Sequence, residues 1–346
     1  MNLAIIGSGG IAKTHAAAIA LLPDVRLAAV QSRNLKKARE LAKPAEAEVV
    51  ESLDTLLSDD SIDAILVATP SGAHAESVLP ALRAGKHVLC EKPLEISTER
   101  VNSMIAEAEK ANRILAGFFP LRCGVGAETI HTALQAGRFG KLTFLSARVK
   151  WWRNQDYYAD STWRGTHALD GGGALINQGI HAVDLIQWLG GTVSEVSAYA
   201  TTLAHDGLEV EDTLAACLQF ENGALGTIET GTSCYPGLDL SLEISGTNGT
   251  AILVNDRIDF WKFSAEQPED EAIRSGNSGG QVGGGASDPL AISCEGHRRQ
   301  IERFCQAIAS NSTAGIIDGR EAGRAVAIVE ALYQSARSKK FQPVRN

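Results

Sequence analysis

Asp170–Leu189, DGGGALINQGIHAVDLIQWL, gathers side chains able to do acid–base chemistry into one short run. Ile176, Ile180, Val183 and Ile186 recur at helical spacing and predict a buried stripe. Asn177, His181, Asp184 and Trp188 form a second line beside it, because each residue turns a helix by about 100°. An amide, an imidazole and a carboxylate at the margin of a core are costly to desolvate. In register after Gly171-Gly172-Gly173, they point to a site. Imidazole carries protons near neutral pH, so His181 is the candidate base or acid, with Asp184 to orient it. Asn177 can bond a substrate hydroxyl but cannot take a proton. For any one of these residues alone, hydrogen bonding to its neighbours and water is the plain alternative.

A second signal opens the chain. Leu3–Ile6 reads as a short apolar strand, and Gly7-Ser8-Gly9-Gly10-Ile11-Ala12 then turns into a helix ending near Leu22. Between a strand and a helix, G-x-G-x-x-A is the pattern of a dinucleotide loop. Gly7, Gly9, Gly10 and Ile11 are the candidate contacts: the glycines let the backbone approach a pyrophosphate, which the helix N-terminus stabilises. Ala12 is small enough for helix to pack on strand. An NAD-preferring site usually places an acid at the end of the second strand, against the ribose. Here Gln31-Ser32-Arg33-Asn34 carries none, and Ser32 with Arg33 is suited to a 2′-phosphate, favouring NADP over NAD.

The elements that must position these groups alternate through the first half. Strands are expected at Val25–Val30, Ala64–Ala68, His87–Cys90 and Ile114–Phe118, with helices over Leu35–Ala42, Ala73–Ala84 and Ser97–Asn112. Gly85 reads as a helix stop. Such β-α-β repeats predict a doubly wound parallel sheet, the Rossmann arrangement, over residues 1–119. From Lys141 the runs become β-like: Leu142–Trp152, Val193–Thr202, Thr213–Phe220, Ala224–Thr230, Asp239–Ser245, Ala251–Val254 and Ile258–Phe263. Glu221-Asn222-Gly223 and Thr247-Asn248-Gly249 are hairpin turns. Residues 120–346 therefore read as an α+β domain with a large open, mostly antiparallel sheet and helices on one face. The other face is left for self-association, a homodimer or homotetramer. Ser275–Ser287 has almost no apolar anchors and reads as a mobile loop beside the site or at an interface. Helices over Gly296–Ser310 and Gly319–Arg337 close the chain.

Composition excludes several classes. With 346 residues, 44% hydrophobic and 21% charged, the chain can bury a substantial core and is ordinary for a soluble protein. A net charge of −9 argues against nucleic acid as partner. Cys90, Cys123, Cys217, Cys234, Cys294 and Cys305 show no C-x-x-C spacing and read as reduced thiols of a cytoplasmic protein. Cys294 and His297 are three apart, but two donors do not make a metal site, and no metal is expected. No apolar run reaches membrane-spanning length, and no leader-like segment precedes the first strand.

Along nearly its whole length the chain resembles the Gfo/Idh/MocA family of nicotinamide-dependent oxidoreductases. The matching pieces are Gly7–Ala12, Thr69-Pro70 with His74, and Ala84-Gly85-Lys86-His87-Val88 leading to Glu91-Lys92-Pro93. Trp163-Arg164-Gly165 and Gly171–Leu175 through Asn177, His181 and Asp184 follow in the second half. The resemblance implies a cis proline after Lys92, a catalytic pair of Lys92 and His181, and cofactor contacts from Thr69, Pro70, His74, Glu91 and Lys92. Many members carry Asp where this chain has Asn177, so no second carboxylate is expected at that position.

The chemistry fits a carbinol oxidation or its reverse, which needs a hydride partner, a proton carrier and a positive group near the reacting oxygen. His181 and Lys92 have the types for the last two roles. Arg164 is a candidate substrate clamp or a structural ion pair. Tyr157, Tyr158 and Trp163 suit a sugar-binding wall, and packing explains such a cluster equally well. His15 and His74 read as core or loop-ordering residues. Three readings result: a dehydrogenase or reductase of a sugar, inositol or related polyol; a nicotinamide-dependent glycosidase; or a non-catalytic dinucleotide or sugar sensor. Lys92 and His181 weigh against the sensor.

Overall fold

The computed structural model describes residues 1–159, 162–276, 286 and 293–345. The chain forms two compact units, Met1–Pro120 with Cys294–Gly323, and Leu121–Ser293 with Arg324–Asn346.

The first unit alternates strand and helix: β1 (Asn2–Ile6), α1 (Gly10–Ala20), β2 (Arg26–Gln31), α2 (Leu35–Ala42), β3 (Glu48–Val50) and α3 (Leu53–Leu57). It continues with β4 (Ala64–Val67), α4 (His74–Arg83), β5 (His87–Cys90), α5 (Thr98–Ala111) and β6 (Leu115–Gly117). The strands pair in parallel in the order β3-β2-β1-β4-β5-β6. All four residues of β4 are buried, as a strand covered on both faces requires. Asn34 caps α2 by accepting the Lys37 N–H at 3.1 Å, and Ser97 does the same for α5 at Arg100. Helix α4 ends just before Gly85, whose φ of +77° few other residues tolerate. Strand order reverses between β1 and β4, the position at which ligands of such sheets bind, outside the strand C-termini.

The second unit begins with α6 (Val125–Gln135), β7 (Leu142–Lys150) and α7 (Gln155–Ala159). A π-helical turn over Leu175–Gly179 runs into α8 (Ile180–Gly190). Then come β8 (Val193–Thr201), β9 (Thr213–Phe220), β10 (Leu225–Gly231), β11 (Ser241–Gly246), β12 (Gly249–Val254), β13 (Arg257–Phe263) and α9 (Asp270–Arg274). Then α10 (Glu295–Ser310) lies in the first unit, α11 (Gly319–Ser338) starts there and ends in the second, and β14 (Gln342–Pro343) follows. The eight-stranded sheet has the order β13-β12-β11-β7-β10-β9-β8-β14, antiparallel except for β7 with β10. Leu145, Ala147, Val149, Leu242, Ile244 and Ile228 are buried on one face, while Phe144, Tyr199, Leu225 and Phe260 stand exposed on the other.

The expected fold class is present in both halves, with two differences. The first unit is not complete at residue 119. Helix α10 returns to it, adding Ile301, Phe304 and Ala307 to the core that holds Ala18 and Ile19 of α1. The helical run read within Asp170–Leu189 opens with the π turn instead of an α-helical one. Of the loop expected at Ser275–Ser287, residues 277–285 and 287 lie outside the described residues.

Candidate active site

In the first unit the glycine loop sits at the C-terminal end of β1. Gly7 has φ of +117° and lies so close to the Ala68 carbonyl that a Cβ there would overlap it. Gly9 and Gly10 face open space, and no side chain caps the N-terminus of α1. That cradle fits a dinucleotide pyrophosphate: exposed amides, a helix dipole and nothing in the way. Ile11 is half-buried and Ala12 fully buried under the helix.

At the end of β2, Ser32 is buried, with its hydroxyl 2.8 Å from that of Ser8 and accepting the Asn34 N–H. Ser32 thus braces two loops, and Arg33 beside it is exposed. Thr69 and Pro70, after β4, are half-buried. His74 is buried, its Nδ1 2.9 Å from the Pro93 carbonyl and its Nε2 3.0 Å from the Thr69 carbonyl. It ties the Thr69 loop to the turn that follows β5, the loop-ordering role read from the sequence.

That turn carries Lys92, half-buried, and the Lys92–Pro93 peptide is cis. Glu91 is buried: Oε2 accepts the Lys92 N–H at 3.0 Å, and Oε1 lies 2.9 Å from His15 Nε2 and 3.9 Å from His297 Nε2. Burial alone would raise its pKa. The His15 imidazole, then the charges of His297 and Lys92, outweigh that and hold it at about 2. The carboxylate is therefore spent inside the protein, on Lys92's backbone and two histidines. His15, Glu91 and His297 bring donor atoms within 4.8 Å of one another, the one grouping among the described residues with the makings of a metal site.

In the second unit, Asn177, His181 and Trp188 are the partly exposed residues of a helix that is otherwise buried from Gly172 to Gly190. Asn177 Nδ2 donates to Asp170 Oδ1 at 2.6 Å, and Asp170 Oδ2 accepts the Gly165 N–H at 2.9 Å. A buried carboxylate thus joins the Trp163-Arg164-Gly165 turn to Asn177, although none occupies position 177 itself.

Asp184, expected to orient His181, is engaged by a buried arginine. It is 1% exposed and bound in two-pronged fashion by Arg122, Nε to Oδ2 at 2.7 Å and Nη2 to Oδ1 at 2.6 Å. The physical reason is that a carboxylate this deep requires an opposite charge, and a guanidinium fork supplies it. Arg122 also covers the Trp188 ring at 5.2 Å, and Trp188 stacks on His131.

The aromatic cluster divides. Tyr158 is buried, its hydroxyl 2.8 Å from that of Thr232 and its ring against His205. That is packing, and burial pushes its pKa up. Tyr157 is half-buried, and its hydroxyl accepts from Gln178 at 3.2 Å. Arg164 lies over Tyr157 at 4.4 Å and over Trp163 at 5.3 Å; Arg153 lies over Tyr157 from 5.3 Å. Arg153 is buried and donates to the carbonyls of Trp152 and Ala286.

Asp170, Arg122, Glu211 and Tyr333 were assigned no role from the sequence. For Asp170 a signal existed, since it heads the glycine run. The other three act from far along the chain, where local spacing carries no trace of them.

Residues 1–119 match the model for "Oxidoreductase family, NAD-binding Rossmann fold", and residues 127–252 match "GFO/IDH/MocA C-terminal domain". The myo-inositol 2-dehydrogenase of Thermotoga maritima is 29% identical over 264 residues, 74% of this chain and 76% of that one. The D-glucoside 3-dehydrogenase of Escherichia coli is 30% identical over 247 residues, 66% and 70% of the two chains. Among solved structures, the WlbA dehydrogenase of Bordetella pertussis in complex with NADH and UDP-GlcNAcA superposes with a TM-score of 0.91. It is 32% identical, over 100% of this chain and 98% of that one.

Proposed function

This chain belongs to the Gfo/Idh/MocA family of NAD-binding oxidoreductases, and we propose that it oxidises a secondary hydroxyl of a sugar, reversibly, with Lys92 and His181 as the catalytic pair. NAD(H), held at the Gly7–Ala12 loop, supplies the hydride exchange when bound. His181 takes the hydroxyl proton in oxidation and returns it in reduction. The Lys92 ammonium stabilises the negative charge that grows on the oxygen. Asn177, steadied by Asp170, positions a neighbouring hydroxyl.

The observation that carries the reading is the pair of partly exposed polar side chains, Asn177 and His181, on an otherwise buried helix. The likeness to WlbA over the whole chain supports a sugar that bears acid groups, a nucleotide-linked sugar acid such as the UDP-GlcNAcA bound there. Arg164, backed by Tyr157 and Trp163, is a side chain suited to clamp such an anion. For the cofactor, Arg33 and the lack of an acid at Gln31–Asn34 support acceptance of NADP beside NAD. The exposed Phe144, Tyr199, Leu225 and Phe260 support a homodimer formed through the open sheet face, which light scattering would read as twice the chain mass.

The test is a panel of UDP-GlcNAcA, myo-inositol and simple sugars, followed by absorbance of the reduced cofactor with NAD+ and with NADP+. Turnover should appear for the acidic nucleotide sugar. Lys92→Met should cut it roughly a hundredfold or more, and His181→Ala about 10²–10⁴-fold. Single variants that fold, bind cofactor and turn over near the wild-type rate would remove the catalytic assignment.

A further inference from the structure

A helix opens with four amide groups that have no partner inside it. Most helices leave them to water and to one neighbouring side chain. In the helix that carries Asn177 and His181, two distant residues take all four. Gly173 N–H donates to Glu211 Oε2 at 2.9 Å and reaches the Tyr333 hydroxyl at 3.2 Å. Ala174 N–H donates to the Glu211 carbonyl at 3.0 Å, and Leu175 N–H to Glu211 Oε1 at 2.8 Å. Ile176 N–H donates to the Tyr333 oxygen at 3.3 Å, and the Tyr333 hydroxyl donates in turn to Glu211 Oε1 at 2.9 Å. The next amide, Asn177 N–H, begins the helix's own ladder by donating to the Gly173 carbonyl.

The fit depends on the glycines. A Cβ at Gly172 would overlap the Tyr333 hydroxyl, and one at Gly173 would overlap the Glu211 carbonyl. The clamp overlaps the first two residues of the π turn, Leu175–Gly179, and α8 places His181 two residues past the end of that turn. Where along its axis this helix starts, and how it is rotated, is therefore set by the segment before β9 and by α11.

We propose that Glu211 and Tyr333 are positioning residues: they touch neither substrate nor cofactor but hold the opening of the helix so that Asn177 and His181 are presented in one fixed setting. This rests on the assignment of proton transfer to His181. The carboxylate meets donors only, the Gly173 and Leu175 N–H groups and the Tyr333 hydroxyl among them, so its ionised form is the one the clamp uses. Burial opposes that form and pushes the Glu211 pKa up to about 7.

The test uses the full chain and two independent readings. Glu211→Gln keeps the shape but sets an amide N–H against a backbone N–H; Tyr333→Phe removes the hydroxyl alone. Hydrogen–deuterium exchange reports on the amides of residues 171–180, and steady-state turnover of UDP-GlcNAcA with NAD+ reports on the reaction. Each variant should exchange that segment at least tenfold faster, with amides of the first unit unchanged. Turnover should fall about tenfold, while KM and NAD+ affinity move less than threefold. Unaltered exchange, or fast exchange with wild-type turnover, overturns the proposal. So does a parallel loss of cofactor affinity and global protection, the mark of a purely structural role. Lys92→Met in the same assay separates the two claims: if it turns over normally, the catalytic reading has failed while the exchange reading still decides whether the clamp exists.

Discussion

Asp184→Asn removes the charge from one half of the Arg122–Asp184 pair while keeping its size. Both partners are buried, at 5% and 1% exposure, and two hydrogen bonds of 2.7 and 2.6 Å join them. Leaving the guanidinium buried without its counter-charge costs roughly 3–5 kcal/mol. The Trp188 ring at 5.2 Å does not offset this, because that contact already exists in the wild type. For a unit of this size each kcal/mol lowers the melting temperature by roughly 2–4 °C. Calorimetry should therefore show a drop of about 6–20 °C. Replacing both partners with apolar residues, Arg122→Met with Asp184→Leu, should recover most of the loss, since neither charge is then stranded. A drop under about 2 °C in Asp184→Asn, or simple additivity in the double variant, would refute the reasoning.

Arg33→Asp should weaken NADP+ far more than NAD+, read by titration of each cofactor; equal losses would show that Arg33 does not meet the 2′-phosphate. Gly173→Ala should fail to give folded protein, because the added carbon would occupy the place of the Glu211 carbonyl; a soluble variant with a wild-type melting curve contradicts the packing described. Glu211 ties stability to pH with a sign opposite to that of most carboxylates. Its folded pKa lies above its ordinary value, so the folded chain holds the extra proton between about 4.5 and about 7. Stability should fall as pH rises through that window, by at most about 1.4 kcal/mol per unit from this group. Denaturant melts at several pH values should give Glu211→Gln a flatter slope there than the wild type, and equal slopes would count against it.

Elements with a strong local pattern were legible from sequence, and those built by distant partners were not. Helix α2 and strands β5 and β9 fall where the sequence places them, because Leu35–Ala42 is cleanly amphipathic and Thr213–Phe220 alternates at every residue. Strand β3 has three residues and α6 buries little beyond Ala127, Ile130 and Ala133, so neither rises above its surroundings. The line Asn177, His181, Asp184 was visible as a line, but periodicity cannot tell a residue that faces solvent from one that faces a buried arginine 62 positions away. The π turn was hidden for a related reason. It begins where Glu211 and Tyr333 seize the helix opening, and neither residue is near it in the chain.

Helix α10 carries Ile301, Phe304 and Ala307 into the core that surrounds α1, although nearly 180 residues separate it from β6. On a translating ribosome the six parallel strands are made first, and the last piece of their hydrophobic cover is made nearly last. Throughout that interval the nascent chain exposes a seam beside Ala18, Ile19 and Phe118, the kind of surface that chaperones bind. A gene truncated after the sixth strand would encode a dinucleotide loop without the helix that seals the core behind it.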